Sequence, residues 1–326
     1  MNKKIALVTG GYSGEAVISY KTALAIAKNI DPDKWDHFTI DIRTDGWFYL
    51  APGGEQFPVD KNDFSVTANG HKIVFDAVFI ALHGTPGEDG KLQGYFDCLK
   101  IPYSSCDAAT SALTFNKRYT VAVASFAGMQ VARSLHLFRD EPLSSSSILS
   151  ALKLPVFVKP NNGGSSIGMS KVNKAEDLPE ALVKAFREDD QVLVEEFISG
   201  REFTIGLFRS KGKIILLPIT EIISKNEFFD YEAKYQGASE EITPAKVDEN
   251  IAEKIREEAM KAYLVFNCNG IVRMDYIYDE KSGHPFLLEI NTVPGQTEES
   301  LVPQQVKAMG MSLMEFYSRL MEECFV

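Results

Sequence analysis

The chain has 326 residues and a formal net charge of -11. Binding to nucleic acid relies on a basic surface that neutralises phosphates, so this acidic balance argues against nucleic acid as a partner. The composition, 45% hydrophobic and 24% charged, is that of an ordinary globular protein. At roughly 150 residues per domain, the length predicts two or three compact units, with room for a site between them.

The four cysteines lie far apart in the sequence and include no C-x-x-C pair. This spacing favours reduced thiols over a disulfide framework or a zinc site, and it predicts a cytoplasmic location. The apolar run near the first residues ends early at Gly10 and Gly11, and no later run approaches the ~18 residues of a membrane-spanning helix. We therefore expect no membrane partner.

The first part of the chain alternates apolar strands with a helix. Strands are predicted at residues 5–9, 38–42 and 75–82, and helices at 16–27 and 92–99. Residues 44–74 are rich in Gly, Asp and aromatic residues and are interpreted as an elaboration, with a hairpin turn at residues 67–71. The first domain is predicted to end near residue 104.

Two further units are predicted after residue 104, which makes the fold class α/β (α+β) with domains at residues 1–104, 105–200 and 201–326. The central unit has predicted helices at residues 107–127, 145–152 and 175–187, and predicted strands at residues 131–138, 155–158, 170–172 and 192–197. The last unit has predicted strands at residues 202–208, 214–223, 270–278 and 285–290, and predicted helices at residues 248–265, 302–308 and 312–323.

A lysine followed by a glycine- and serine-rich loop occupies residues 156–169, VFVKPNNGGSSIGM. Backbone N–H groups of such a loop can cover phosphates, with Lys159 at the end of the preceding strand. The order of residues is neither that of a P-loop nor that of a Rossmann turn. On this stretch alone, an ordinary glycine-rich hairpin is an equally good interpretation.

Acidic and amide side chains recur on two neighbouring predicted strands. Asp275 lies on the first strand, and Glu289 and Asn291 lie on the second, where alternation places them on one face. Their hard oxygen atoms suit Mg²⁺. Solvated charges on surface strands are the alternative, but the flanking apolar residues predict burial, and buried acids without a partner would be costly.

Two weaker patterns lie between these motifs. Residues 192–203, VLVEEFISGREF, form an apolar strand that ends in an acidic and aromatic hinge, whose carboxylates could accept hydrogen bonds from an adenine amine or ribose hydroxyls. Residues 226–242 read as a long loop without a core of its own, which is typical of a lid.

Six motifs in order along the chain carry a resemblance to a known family: Gly10-Gly11-x-Ser13-x-Glu15-x-x-Ile18-Ser19, His83-Gly84-x-x-Gly87-Glu88-Asp89-Gly90, Asn116-Lys117, Lys159 with its glycine loop, Tyr231-Glu232-Ala233-Lys234-Tyr235 and Leu288-Glu289-Ile290-Asn291-Thr292-x-Pro294-Gly295. Together they closely resemble the D-alanine:D-alanine ligases of the ATP-grasp superfamily. The resemblance implies a three-domain ATP-grasp architecture, with an N-terminal substrate domain and ATP held between the central and C-terminal sheets.

The resemblance also implies which residues bind the nucleotide and the metal. Two Mg²⁺ ions, with Mn²⁺ as a substitute, would be held by Asp275, Glu289 and Asn291. Lys117 and Lys159 would contact the phosphates, and Ile198 would contact the adenine through its backbone. The complete implied set for the nucleotide is Lys117, Lys159, Ser166, Glu195, Glu196, Phe197, Ile198, Glu202 and Lys234.

For the amino-acid substrates, the resemblance implies that Glu15 holds the ammonium group of the first D-alanine, supported by a link through Ser165 and Tyr235. Arg273 and the backbone N–H of Gly295 would stabilise a tetrahedral oxyanion. The second carboxylate would be received by Ser300 and the backbone at Leu301, with His83 near the same subsite.

Three of these positions also have a purely structural interpretation. His83 could be a hydrogen-bonded core histidine, Ser300 could be a helix N-cap, and Glu15 lies at a helix start where the dipole favours a carboxylate.

The implied activity is ATP-dependent joining of two D-alanine molecules through an acylphosphate, for peptidoglycan precursor synthesis, in a homodimer. D-lactate or D-serine as the second substrate is the nearest alternative, although the Lys234–Tyr235 pair favours the amide product. A non-catalytic nucleotide-binding protein and a biotin-dependent carboxylase component are more distant alternatives.

Overall fold

The computed structural model describes residues 2–140, 143–164, 167–224 and 239–326. Within these ranges the chain forms three sheets, of seven, four and six strands in chain order, with helices packed against them. In this part of the chain, no helix combines the length and apolar character that crossing a membrane requires.

The first sheet is built around a buried parallel strand. α1 (Ala16–Ala27) connects β1 (Lys3–Gly10) to β2 (Trp35–Arg43), which pairs in parallel with one edge of β1. β7 (Ala77–Ile80) pairs in parallel with the other edge of β1. The side chains of residues 5–8 are fully buried, which explains the uninterrupted apolar run. Gly10 ends the strand with φ 90°, and a Cβ there would lie 2.5 Å from the carbonyl oxygen of Ile42. Only glycine therefore fits this turn into α1.

Residues 44–74 extend the first sheet rather than forming a separate unit. The added antiparallel strands are β3 (Gly46–Leu50), β4 (Gln56–Asp60), β5 (Ser65–Ala68) and β6 (His71–Ile73). Asn69 and Gly70 both have positive φ, 51° and 79°, as a two-residue hairpin turn of the I′ type requires. The predicted hairpin is confirmed. The ring of Phe64 packs against that of Phe96 on α2 (Lys91–Leu99), with centroids 4.8 Å apart.

The single helix predicted at residues 107–127 is wrong, because the chain breaks there into α3 (Ala108–Phe115) and α4 (Lys117–Phe126). Asn116 leaves the helical conformation, with φ -95° and ψ 106°, and its side-chain oxygen accepts a hydrogen bond from the backbone N–H of Tyr119. It is thus the N-cap of α4, which competes with continuing the helix. The break places Lys117 in the first turn of α4.

The central sheet has four strands in the order β10-β9-β11-β8. Its strands are β8 (Ser134–Phe138), β9 (Val156–Pro160), β10 (Ser170–Val172) and β11 (Gln191–Glu196), and its helices are α5 (Ser145–Ala151) and α6 (Leu178–Glu188). Alternate valines of β9 and β11 are fully buried against α6, as a sheet with one helix-covered face requires. The other face carries Lys159 and Glu195.

The third sheet holds most of the remaining chain. Its strands are β12 (Arg201–Ser210), β13 (Lys213–Leu216), β14 (Thr220–Ser224), β15 (Ser239–Ile242), β16 (Val272–Asp279) and β17 (His284–Asn291), and the helices are α7 (Glu249–Val265), α8 (Leu301–Ala308) and α9 (Leu313–Glu323). The single strand predicted at residues 214–223 is wrong. It divides into β13 and β14, which pair with opposite parts of the same edge of β12.

The first and third sheets share one hydrophobic core. Ile5 and Leu7 of β1 belong to the same buried cluster as Phe316, Tyr317 and Leu320 of α9. The central sheet has a cluster of its own, which includes Ile148 and Leu178. The N-terminal unit is therefore joined to the end of the chain by apolar packing.

Candidate active site

Two antiparallel strands bring the predicted metal ligands together. In the pairing of β16 with β17, Asp275 lies opposite Glu289, and Arg273 lies opposite Asn291. The register shifts directly after Asp275. Side chains two residues apart on a strand share a face, so the four polar side chains converge at one end of this hairpin, as the sequence predicted.

Asp275 is buried, with 6% of its surface exposed, and is held by four hydrogen bonds. Arg273 donates from Nε and Nη2 to its two oxygens at 2.9 and 2.7 Å. Thr204 Oγ1 donates to Oδ1 at 2.5 Å, and Asn291 Nδ2 donates to Oδ2 at 3.3 Å. Arg273 also lies 3.7 Å from Glu289 Oε1. The fixed guanidinium offsets part of the negative charge that gathers here.

The oxygen atoms of this cluster that could ligate a metal suit a hard divalent cation. Among the described residues, no group of three or more His, Cys, Asp or Glu side chains could hold a metal ion. The set at the β16–β17 hairpin instead supplies two carboxylates and one amide oxygen, the limited protein contribution that Mg²⁺ prefers when water and phosphates complete its shell. The side chain of Glu289 is 33% exposed and is therefore accessible to a ligand.

Glu15 joins the N-terminal motif to the glycine-rich loop. A Cβ on Gly84 would lie 2.6 Å from Glu15 Oε2, and a Cβ on Gly164 would lie 2.8 Å from Oε1. These distances are shorter than Cβ contacts in real structures, so a side chain at either position would displace the carboxylate of Glu15. Glu15 stands directly before α1, but its side chain makes no capping hydrogen bond there. Its position at the helix start is the one that the helix-dipole interpretation assumed.

His83 is a buried, hydrogen-bonded histidine. Its Nε2 lies 2.9 Å from Thr22 Oγ1, and its backbone N–H donates to Ser19 Oγ. Burial lowers the pKa of His83 to about 4, and the charge of Arg273 acts in the same direction. The imidazole is thus neutral at pH 7, and the structural interpretation accounts for its contacts.

Glu88 is a site carboxyl that the sequence analysis quoted in a motif but gave no role. Its Oε2 accepts a hydrogen bond from the backbone N–H of Gly84 at 2.7 Å. Burial and the charge of Glu15 raise the pKa of Glu88 to about 8, while the hydrogen bond and Arg273 oppose the rise. The charge of Glu289 also raises this pKa, so Glu88 lies close enough to Glu15, Arg273 and Glu289 to feel their charges.

The predicted phosphate-binding lysines flank the glycine-rich loop. Lys117 Nζ donates to the carbonyl oxygen of Gly163 at 2.7 Å. Lys159 on β9 forms an ion pair with Glu195 on β11, where both side chains are largely buried. Glu195 was predicted to face the adenine or ribose, and in this structure its carboxylate is paired with Lys159, the lysine that was predicted to contact the phosphates.

The hinge residues after β11 alternate between two faces. Glu196 points away from Glu195, and its carboxylate accepts a hydrogen bond from the backbone N–H of Lys153. The ring of Phe197 lies 6.0 Å from that of Phe157 and carries the amino group of Lys171 at 4.5 Å. Ile198 is half-buried, and Glu202 is the second residue of β12. Phe197 therefore packs beside Phe157 at the end of the central sheet, and the adenine pocket stays a prediction.

Ser300 precedes α8 at the N-cap position, but its side chain does not cap the helix. Its Oγ accepts from the backbone N–H of Thr297 and lies 2.8 Å from Thr297 Oγ1. A Cβ on Gly295 would lie 2.9 Å from Ser300 Oγ. The two predicted residues thus contact each other across the turn into α8, and Leu301 begins the helix as a buried residue.

Four predicted site residues, Ser165, Ser166, Lys234 and Tyr235, lie outside the described residues. Of the predicted lid at residues 226–242, the described part is β15, an edge strand that pairs with β14. Residues 239–242 are thus a strand rather than a loop. Thr22 and Thr204 were missed altogether, because both reach the site only through tertiary contacts.

Comparison with known proteins places this geometry in one family. The models described as D-ala D-ala ligase N-terminus and C-terminus match residues 4–106 and 116–322. The D-alanine–D-alanine ligase of Flavobacterium johnsoniae is 45% identical over 320 residues, 98% of each chain. That of Parabacteroides distasonis is 45% identical over 323 residues, 99% of this chain and 98% of the relative.

Solved structures of the same family share the fold. The VanG D-Ala:D-Ser ligase from Enterococcus faecalis superposes with a TM-score of 0.89 at 32% identity, over 99% of this chain and 100% of that chain. A D-alanine–D-alanine ligase from Bacillus anthracis complexed with ATP gives 0.79 at 26% identity, over 99% and 97%. The fold is the ATP-grasp architecture, and the chain belongs to the D-alanine–D-alanine ligase family.

Proposed function

We propose that this enzyme joins two D-alanine molecules to D-alanyl-D-alanine at the expense of ATP, for cell-wall precursor synthesis. The observation that carries the proposal is the position of Glu15, whose carboxylate touches both Gly84 of the substrate domain and Gly164 of the nucleotide loop. A protein that only bound nucleotide would have no need of an acid at this junction. A ligase needs one there to hold an amino acid beside the terminal phosphate.

The first D-alanine binds with its ammonium group at Glu15, supported through Ser165 and Tyr235. Its carboxylate then faces Arg273, on the strand pair that also presents Asp275. Arg273 is held in a bidentate pair with Asp275, so its position is fixed before substrate arrives. Such preorganisation supports a transition state in which charge develops on the carboxylate oxygens.

The reaction has two steps. A carboxylate oxygen of the first D-alanine attacks the γ-phosphorus, which breaks the bond to the β-γ bridging oxygen and yields an acylphosphate and ADP. The amine of the second D-alanine then attacks the acyl carbon, loses a proton, and expels inorganic phosphate. Arg273 and the backbone N–H of Gly295 stabilise the oxyanion formed in this second step.

ATP binds between the central and C-terminal sheets. Its adenine and ribose contact the hinge through Glu195, Glu196, Phe197, Glu202 and the backbone of Ile198. Lys117, Lys159, Ser166 and Lys234 contact its phosphates. Asp275, Glu289 and Asn291 would hold two Mg²⁺ ions, for which Mn²⁺ can substitute. When bound, these ions neutralise the triphosphate and align its terminal group.

The second D-alanine is received at the turn before α8. Ser300 and the backbone of Leu301 bind its carboxylate, and buried, neutral His83 borders the same subsite. The domains at residues 1–104, 105–200 and 201–326, with a lid at residues 226–242, enclose the acylphosphate and keep water from it. A homodimer in the cytoplasm completes the proposal, and exposed Val17 and Leu24 on α1 support a contact between copies.

The test is incubation of the purified protein with Mg²⁺, ATP and D-alanine, L-alanine, or D-alanine with D-lactate or D-serine. Phosphate release and product mass are recorded together. We expect D-alanyl-D-alanine with one phosphate per dipeptide, and no turnover of L-alanine. A mixed product with D-serine in preference to D-alanine would contradict the proposed second substrate, and phosphate release independent of D-alanine would contradict the ligase reaction.

A further inference from the structure

One edge of β12 changes its partner strand partway along. Residues 202–204 pair with β14, and residues 207–210 pair with β13. The side chain of Gln305, on α8, lies at the gap between these two pairings. Its Oε1 accepts from the backbone N–H of Gly206 at 2.9 Å, and its Nε2 donates to the carbonyl oxygen of Thr204 at 3.1 Å. The amide group thus satisfies two backbone groups that a neighbouring strand would otherwise pair.

The contacts of this amide are buried and extend to a second strand. Gln305, Thr204 and Thr220 are all fully buried. Gln305 Nε2 also donates to Thr220 Oγ1 of β14 at 3.1 Å. A Cβ on Gly206 would lie 2.9 Å from Gln305 Oε1, so glycine at this position leaves the space that the amide occupies. Breaking a buried and paired network is costly, so these bonds hold α8 at one position against β12 and β14.

Gln305 connects two parts of the proposed site. On one side it lies one helical turn after Leu301, where the second carboxylate is proposed to bind. On the other side, Thr204 donates from its hydroxyl to Asp275 Oδ1 at 2.5 Å, and Asp275 is paired with the guanidinium of Arg273. The side chain of Gln305 therefore links the helix of the second-substrate subsite to the strands that carry the arginine.

We infer that Gln305 is a positioning residue that sets where the second D-alanine binds relative to the acyl carbon of the first. The inference rests on the proposed role of Ser300 and Leu301 in binding the second carboxylate. Without the amide, β12 keeps its backbone pairing with β14 and β16, so α8 is the element that shifts. A shift of a fraction of an ångström weakens binding of the second carboxylate. The first D-alanine, at Glu15, keeps its contacts.

The competing explanation is that Gln305 only stabilises the fold by satisfying buried backbone groups. The variant Gln305→Met separates the two, because methionine has a similar length and volume but can replace neither the donor nor the acceptor. A loss of stability alone reduces the active fraction, which lowers the apparent kcat and leaves the Michaelis constants unchanged. A displaced α8 raises the constant for the second D-alanine.

The experiment measures initial rates of dipeptide formation by the full-length enzyme, with D-alanine varied over a wide range at saturating ATP and Mg²⁺. The rates are fitted with separate Michaelis constants for the first and second D-alanine. For Gln305→Met we expect the second constant to rise about tenfold, the range for weakening a hydrogen bond to a charged group, and the first to stay within about twofold of wild type. An equal rise in both constants, or a fall in kcat alone, would overturn the inference.

Gly206→Ala tests the same contact with the amide present, and it replaces Gln305→Met if that variant does not fold. The new Cβ displaces Gln305 Oε1, so the second constant should again rise while the first does not. Thr110→Val is the control for stability. It removes a buried hydrogen bond from Thr110 Oγ1 to the carbonyl oxygen of Phe266, at 2.9 Å, and should leave both constants at their wild-type values.

Ser300→Ala distinguishes failure of the inference from failure of the proposed subsite. This variant should raise the second constant, because it removes a proposed ligand of the second carboxylate. If Ser300→Ala leaves that constant unchanged, the proposed subsite is wrong and the inference falls with it. If Ser300→Ala raises the second constant but neither Gln305→Met nor Gly206→Ala does, the inference about Gln305 alone is wrong.

Discussion

At the residue scale, small changes around Glu15 test how tightly its carboxylate is confined. Gly164→Ala introduces a Cβ 2.8 Å from Glu15 Oε1, so the carboxylate or the loop must move. We expect the KM for the first D-alanine to rise at least about tenfold, because misplacing a binding group by a fraction of an ångström removes a charged contact. Steady-state kinetics with D-alanine varied at saturating ATP measure this.

Gly53→Ala is the matched control for this substitution. Its Cβ would meet no atom closer than 3.6 Å, and Gly53 lies in an exposed turn. The control should leave both KM values unchanged. A Gly164→Ala enzyme with wild-type kinetics would show that Glu15 is not confined by the glycine loop.

Thr204 tests the hydrogen bonds that hold Asp275. Thr204 is fully buried, and its hydroxyl donates to Asp275 Oδ1 at 2.5 Å. Thr204→Val keeps the shape and removes the donor, so the free energy of unfolding should fall by about 1.5–3 kcal/mol, the value for a hydrogen bond to a charged group. Urea denaturation measures this. Thr67→Val, on an exposed strand position, should change it by less than about 0.5 kcal/mol.

At the element scale, the break between α3 and α4 links a helix cap to the nucleotide loop. Asn116 caps α4 through its side-chain oxygen, and its Nδ2 donates to Asn162 Oδ1 at 3.3 Å. Asn116→Ala should reduce the free energy of unfolding by ~1 kcal/mol, as loss of a cap does, and should also raise the KM for ATP. The second effect follows because Lys117 and the loop at residues 161–164 lose a common anchor.

The control for Asn116 is Ser312→Ala, which removes the cap of α9. Ser312 Oγ accepts from the backbone N–H of Glu315 at 3.1 Å, far from the nucleotide loop. A similar loss of stability is expected, with the KM for ATP unchanged. Equal KM values for the two variants would contradict the proposed anchoring of Lys117 by Asn116.

The elements that the sequence predicted correctly are those with a local cause. The Asn69–Gly70 turn needs positive φ at both residues, and the facing of Asp275 and Glu289 follows from strand alternation and a short hairpin. The helix break at Asn116 was not predicted, because residues that favour a helix continue on both sides of it. Glu88 and Thr22 were missed for another reason: their partners are distant in sequence, and only the fold brings them together.

At the scale of the whole molecule, the shared core couples the two ends of the chain. Trp35 in the first sheet donates from Nε1 to Ser318 of α9 at 3.4 Å, and its ring stacks on that of Phe325 with centroids 6.1 Å apart. Both tryptophans of the chain, Trp35 and Trp47, lie in the first 104 residues. Tryptophan fluorescence therefore reports unfolding of the N-terminal unit.

This coupling predicts that a cavity in the last helix destabilises the N-terminal sheet. Phe316 is fully buried in the cluster that contains Ile5 and Leu7, so Phe316→Ala should cost about 3–5 kcal/mol. The fluorescence transition in urea should shift to lower concentration together with the far-ultraviolet circular dichroism transition. Ile148→Ala, in the separate core of the central sheet, should shift the circular dichroism signal but leave the fluorescence midpoint nearly unchanged. If Phe316→Ala leaves the fluorescence midpoint at its wild-type value, the N-terminal unit unfolds independently and the shared core does not fix the substrate domain against the third sheet.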